Sequence, residues 1–460
     1  MSRAQKWRPD CPKLRRVQEL AKAKPMERFT SLAHHLTQEA LRRSFDALEA
    51  KAAPGVDGVT KDAYRQNLEE NLKSLQERLK SGEYRATPVL RVEIEKPGGG
   101  KRPLGIPVLE DKIVQGAVVE ILNCIYENDF MGFSYGFRPG RSAHQALQAL
   151  QTVLQKGKVN WVLDLDISKF FDTIDHKELM SLVEHRVKDS RLLRLIGKWL
   201  ATGAVQADGR RIRAKRGTPQ GGVISPLLAN IFLHYVVDKF VHEWRQTEAK
   251  GEVYIVRYAD DVVMAFESQE DAERLLELLE ARLGEYGLSL NRDKTRLVRF
   301  GRGWTGKDGG QKSGTFEFLG FTHIAGKSRQ GYYLVKCKTA RKRLNRSLKA
   351  IFEWCKRNRH TPLSWQQKQL GLKLRGHYNY YGVRGNYRSL SQFWHAVQKA
   401  WLRALMRRSQ KMRKAWLYRL IDHEFALPRP TITHPEGWLD LNPGYLLGRA
   451  GCGKAARPAL

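Results

Sequence analysis

Two apolar, β-prone runs, Val253-Tyr254-Ile255-Val256 and Val262-Val263-Met264-Ala265-Phe266, flank Arg257-Tyr258-Ala259-Asp260-Asp261. The spacing predicts a β-hairpin with Tyr-Ala-Asp-Asp at its turn. Adjacent carboxylates repel each other unless a cation sits between them. Hard oxygen donors of this kind suit Mg²⁺, which is commonly held by one or two carboxylates plus substrate phosphates. Taken alone, the turn would equally suit two solvated acids.

A second acidic segment narrows the choice. Trp161-Val162-Leu163-Asp164-Leu165-Asp166-Ile167 is an apolar strand carrying two Asp, which share a face by alternation. An acid inside an apolar strand is costly unless it is paired or metal-bound. With this strand beside the hairpin, Asp166 and Asp260 would hold two metal ions about 4 Å apart. Such a pair activates an attacking 3′-hydroxyl and stabilises a leaving pyrophosphate.

The surroundings read as α+β with an antiparallel sheet. Helical patterns over Leu36–Lys51, Asp111–Tyr126 and Asp271–Tyr286 alternate with strand patterns. The strands are expected at Val89–Ile94, Trp161–Leu165, Tyr254–Tyr258, Val262–Phe266 and Phe316–Ile324. Six Gly between Gly301 and Gly314 mark a flexible loop. Beyond residue 330 the pattern becomes helical: Leu344, Leu348, Ile351, Phe352 and Cys355 share one face, as do Phe393, Val397, Ala400, Trp401 and Leu405.

Charge points to the partner. The chain has 81 Lys+Arg against 48 Asp+Glu, a formal net charge of +33, which fits a nucleic-acid binder. Between Gly331 and Leu420 there are 23 Lys+Arg, a single acid (Glu353) and 14 aromatics. Aromatics at helical spacing mostly build a core, but a solvated face does not require near-total loss of acids; the remaining cations can neutralise phosphates. Five Cys without a CxxC pair exclude a disulfide scaffold and argue against a zinc site. No apolar run reaches membrane-spanning length and no signal peptide is visible, so the expected setting is a reducing, intracellular one.

These features, taken with further ordered motifs, resemble the reverse transcriptases encoded by group II introns, the intron maturases, from about Leu41 to about Leu420. Ala53-Pro54-Gly55-Val56-Asp57-Gly58-Val59 resembles the extension before the fingers. Lys96-Pro97-Gly98-Gly99-Gly100-Lys101-Arg102-Pro103-Leu104-Gly105-Ile106-Pro107 and Ser134-Tyr135-Gly136-Phe137-Arg138-Pro139-Gly140-Arg141-Ser142-Ala143-His144 are similar to the fingers motifs. Leu163–Ile174 (LDLDISKFFDTI) is similar to the first catalytic palm motif. Gly217–Asn230 (GTPQGGVISPLLAN), Leu288–Thr295 (LSLNRDKT) and Phe316–Phe321 (FEFLGF) resemble the motifs that follow. Arg375-Gly376-His377-Tyr378-Asn379-Tyr380-Tyr381 fits the thumb.

The resemblance implies a right-hand polymerase fold, with fingers and an antiparallel palm sheet followed by an all-α thumb or maturase domain. It implies RNA-directed DNA polymerase activity and binding of group II intron RNA to assist splicing and mobility. The expected catalytic and metal-binding residues are Asp166, Asp260 and Asp261, holding two Mg²⁺ with Mn²⁺ as a substitute. Lys96, Arg102, Phe171, Gln220 and Lys294 are expected at the incoming nucleotide, with Phe171 as the gate against a ribose 2′-hydroxyl and Lys294 as general acid. Arg341, Lys342, Arg343, Arg346 and Arg375 are expected on RNA. Asp164 and Asp172 can be structural. The implied partners are intron RNA, an RNA template with a DNA or RNA primer, a DNA target and dNTPs, in a bacterial cytoplasm, without a membrane.

The expected domains are a basic extension (1–40), fingers and palm (41–330), thumb (331–412) and a short C-terminal segment (413–460) with a possible DNA-binding role. No Cys pairs of an HNH endonuclease follow the thumb, so target nicking is not expected. Two alternatives stay open. A host-adopted enzyme of the CRISPR-linked or defence type would look almost identical. A purely RNA-binding splicing factor would be expected to have lost at least one of the three Asp.

Overall fold

The structure, a computed structural model, describes residues 11–95, 100–206, 208–212, 216–218, 220–304, 313–408 and 413–434. Lys96, most of the Gly301–Gly314 loop and all residues after His434 lie outside the described residues. Strands β1 (Val89–Glu95), β2 (Lys101–Ile106), β3 (Trp161–Leu165), β4 (Ala204–Gln206), β5 (Arg211–Ile212), β6 (Val253–Tyr258), β7 (Asp261–Phe266), β8 (Arg296–Arg299), β9 (Thr315–Phe318), β10 (Phe321–Lys327) and β11 (Tyr333–Thr339) form three sheets.

The palm sheet runs β6-β7-β3-β8, antiparallel throughout. The apolar runs of β6 and β7 are buried along almost their whole length, as expected of strands covered on both faces. The helices Ala143–Lys156 and Gln269–Glu285 pack against this sheet. The fingers sheet runs β2-β1-β4-β5, with β1 and β4 parallel. Next to it, the helix Leu109–Asp129 is buried nearly all round, which fits its long apolar stretch.

The sequence suggested one strand over Phe316–Ile324, but the chain folds there into two, β9 and β10. Leu319 and Gly320 sit at φ +47° and +80° between the paired Phe318 and Phe321. Positive φ at both central residues is the two-residue hairpin turn that matches strand twist. Leu319-Gly320 interrupts the apolar alternation, and that Gly is the local signal for the turn. β11 then pairs with β10, so the expected boundary at 330/331 runs through a hairpin and the helical part starts at Arg341.

Two cores result. The first spans residues from Leu14 to Val383. The second joins the helices Arg341–Arg357, Leu363–Tyr381 and Tyr387–Met406 around Leu374, Val397 and Trp401, with Leu417, Ile421 and Leu427 added from the C-terminal side. The chain after Leu427 returns along the second of these helices. His434 forms a parallel bridge to Val383, donates from Nε2 to Asn379 O (2.8 Å) and stacks on His144 with ring centroids 3.8 Å apart. Among the described residues, no helix is long and apolar enough to cross a membrane.

Candidate active site

The β3–β7 register pairs Leu165 with Val262. Continued by one residue, it sets Asp166 level with Asp261. The hairpin turn Ala259-Asp260 brings Asp260 to the same end of the sheet. Asp166 and Asp261 lie on the floor of an open groove of about 1810 Å³. Its far wall is the helix Arg341–Arg357 from Lys342 to Glu353, including Arg343, Arg346 and Lys349; Lys101 of the fingers hairpin also lines it.

The acids crowd one another. Asp261 is open to water yet surrounded by groove wall, and its pKa is pushed up to about 6, first by that burial and then by Asp260, Asp166 and Asp164; only Arg343 opposes this. Burial also raises Asp260, with Arg102 working against the shift and Asp166 adding to it. Asp164, raised to about 6 chiefly by burial, has a partner of its own: Arg296, its cross-strand neighbour on β8, 3.5 Å away. That pairing separates the two Asp of β3. Asp164 is held by the sheet, while Asp166 projects past its end.

Among the described residues, no group of three His, Cys, Asp or Glu closes into a ready-made metal cage. The donor set is still that of a hard cation: carboxylate oxygens only, mutually repelling, at an open groove. Mg²⁺ sites usually have this form, completed by substrate phosphates. Lys294 partly neutralises the cluster, with Nζ 3.1 and 3.3 Å from the Asp166 carboxylate oxygens.

The nucleotide-side candidates divide. Arg102 Nε donates to Gln220 Oε1, so two of them meet directly. Gly105 N also donates to Gln220 O (2.6 Å), and a Cβ on Gly221 would sit 2.6 Å from Gly105 O, so the close approach of fingers and palm needs glycine there. Phe171 is half-buried, edge-on to the fully buried Phe170 at 5.3 Å, and its carbonyl accepts from Thr218 N (2.8 Å). Lys96 lies outside the described residues.

Arg341, Lys342, Arg343 and Arg346 are all exposed on one helix start, and among the described residues none forms an ion pair. Arg341 and Arg375 are not in the groove lining; Arg375 is exposed on the helix Leu363–Tyr381.

Sequence reasoning left Asp172 without a role. Its Oδ1 accepts from Gln220 Nε2 (2.9 Å), which turns the amide so that its oxygen faces Arg102. His176 adds a bond to Gly217 O (2.7 Å). These contacts span 48 and 41 residues, and no local pattern announces them.

The comparisons can now be set beside this geometry. Residues 94–323 match the family described as reverse transcriptase (RNA-dependent DNA polymerase). Protein YkfC of Escherichia coli is 35% identical over 353 residues, covering 69% of this chain and 89% of that protein. Group II intron-encoded protein LtrA of Lactococcus lactis is 37% identical over 236 residues, 51% of this chain but only 39% of LtrA. A solved telomerase structure from Candida tropicalis aligns over 51% of this chain and 53% of that chain, at 15% identity and a TM-score of 0.39. Half of the chain matches the family model and YkfC is matched over most of its length, so the chain, which is also similar to part of a group II intron-encoded protein, belongs to the reverse transcriptase family.

Proposed function

We propose that this chain is an RNA-directed DNA polymerase that copies RNA into DNA and also binds group II intron RNA to assist splicing and mobility. The observation that carries the reading is that Asp166, just past the end of β3, and Asp261, at the start of the adjacent antiparallel β7, line one groove beside Asp260, facing a basic helix.

Divalent-metal use comes with the family, as does an RNA partner. The finer assignment is ours: two Mg²⁺, replaceable by Mn²⁺, held by Asp166, Asp260 and Asp261. When bound, they would supply charge stabilisation for the attacking 3′-oxygen and the leaving pyrophosphate. The protein's own part is orientation. Arg102, fixed by Gln220 and Asp172, is assigned to the triphosphate, and the resemblance adds Lys96 to the same role. Lys294 carries a proton beside Asp166 and can deliver it to the leaving group. Arg341, Lys342, Arg343, Arg346 and Arg375 meet RNA phosphates. Fingers and palm take in residues 41 to 340 and the thumb starts at Arg341, with 1–40 as an extension and 413–460 as the C-terminal segment. The partners are a primed RNA template, dNTPs, intron RNA and a DNA target, in a bacterial cytoplasm.

The test is extension of a DNA or RNA primer on an RNA template by the purified full chain with dNTPs and Mg²⁺. Absence of extension on RNA, with intron RNA still bound, would leave only the splicing role.

Phe171 offers a sharper check of register. Phe171→Ala should lower the preference for dGTP over rGTP by about 10–100-fold, the range a pocket's steric contact is worth. Its half-exposed ring makes the stability cost smaller than the roughly 3–5 kcal/mol of a fully buried Phe. A folded variant with unchanged sugar discrimination would remove Phe171 as the gate.

A further inference from the structure

Ala259, at the tip of the acidic hairpin, has φ +56°. Left-handed backbone is unfavourable for any residue with a Cβ, so something must hold it. Arg257 does so from inside the protein. Its guanidinium is fully buried and makes four contacts. Nε donates to Asp238 Oδ1 (2.7 Å), Nη2 donates to Asp238 Oδ2, and Nη1 donates to both Asn230 Oδ1 (3.0 Å) and the carbonyl of Ala259 itself (3.0 Å).

Asp238 and Asn230 are equally buried. Asp238 closes a π-helical turn, His234–Asp238, inserted between the helices Ser225–Leu233 and Lys239–Thr247. Such turns are rare, and they aim side chains that a regular helix would point elsewhere. Asn230 Nδ2 donates to Gly136 O (2.7 Å), and Gly136 backs onto the turn so closely that a Cβ there would lie 2.3 Å from Ala259 N. The turn is therefore gripped from both sides, by an arginine arm on its carbonyl and a glycine backbone on its amide.

Burying a paired Arg and Asp this deeply is seldom a net stabiliser, and well-packed apolar residues usually do as well. The one use of the pair that apolar residues cannot copy is the donation to Ala259 O. We propose that Arg257, carried by Asp238 and Asn230, is a positioning residue. It holds Ala259 left-handed and so keeps Asp260 and Asp261 facing the groove. This rests on the polymerase reading of those two Asp.

The test uses the full chain with Arg257→Lys, Ala259→Gly and the double variant. Lysine keeps the charge opposite Asp238 but loses the arm on Ala259; glycine adopts positive φ without the Cβ conflict. Two readouts are taken: single-nucleotide incorporation on primed RNA, and hydrogen exchange of the peptide spanning residues 253 to 266. Arg257→Lys should lose about 10–100-fold in incorporation, as loss of an outer support of a metal site does, and its turn amides should exchange faster. Adding Ala259→Gly should restore at least tenfold of the rate. A purely structural ion pair would give no such rescue.

A folded Arg257→Lys with wild-type rate and exchange overturns the proposal, and so does a loss that glycine fails to mend. If Arg257→Lys does not fold, Asn230→Ser carries the same test, because it removes the amide oxygen that holds Nη1 beside Ala259 O and leaves the Arg257–Asp238 pair. An inactive wild-type chain would count against the polymerase reading, and the exchange comparison would still decide the role of Arg257.

Discussion

Asp260→Ala and Asp166→Ala are each expected to lower primer extension on RNA by about 10³-fold or more, at least about 4 kcal/mol of transition-state stabilisation. The three carboxylates supply what the metal ions need, and the nearby Asp164 is tied to Arg296. Folding should not suffer. Burial, with neighbouring carboxylates adding to it, holds Asp260 and Asp261 above the usual carboxylate range, so removing one carboxylate of the cluster relieves a local cost. Functional sites often carry such a cost. Melting curves of the variants should match or exceed wild type, and intron RNA should still bind, because its phosphates are met by the cations across the groove and not by the acids. Wild-type-like extension by either variant would sink the metal assignment. Asp164→Asn separates the two Asp of β3: with Arg296 as its partner, it should cost stability more than rate.

RNA affinity should fall about 10³–10⁵-fold between about 50 and 200 mM salt if roughly 6–10 phosphates are neutralised. The basis is the excess of unpaired cations, above all those opening the helix Arg341–Arg357. That helix has no acid in its first turn. Cations at a helix N-terminus oppose the macrodipole, each at roughly 0.3–1 kcal/mol. Replacing Arg341, Lys342, Arg343 and Arg346 by Glu should therefore move two observables in opposite directions. The thermal midpoint should hold or rise, while the slope of log affinity against log salt should flatten by about 3 units, near 0.7 per lost contact on single-stranded RNA. A variant that melts early, or one that keeps its salt slope, would show that these side chains serve the fold and not the RNA.

The acidic hairpin and the β3 strand were readable because their signals are local: apolar alternation, an Asp pair at a turn, acids where an apolar strand should have none. The order of the sheet was less so. That β3 lies between β7 and β8, with Asp164 opposite Arg296, depends on residues 132 apart in sequence, and the folded sheet gives a physical reason for the distinction between Asp164 and Asp166 that the resemblance implied. Arg257 shows the same limit. In sequence it is a charged residue ending an apolar strand, a position that normally faces water. It is wholly buried because Asp238 and Asn230, on a helix 19 and 27 residues earlier, turn toward it through a π turn that no periodicity predicts. Asp172 and Gln220 were each visible as motif residues, but their pairing was not.

The two cores also set a timetable for biosynthesis. Residues belonging to the first core run as far as Val383, with Tyr380 and Tyr381 packed against it. The segment from Leu427 to His434 reaches back to His144. A ribosome delivering this chain from its N-terminus will have released the fingers, the palm strands and all three carboxylates well before the aromatic end of the helix Leu363–Tyr381 arrives. The nascent polymerase half thus waits, with part of its apolar surface open, for the thumb that follows. A truncation before Val383 would remove a domain and also leave the preceding one unsealed.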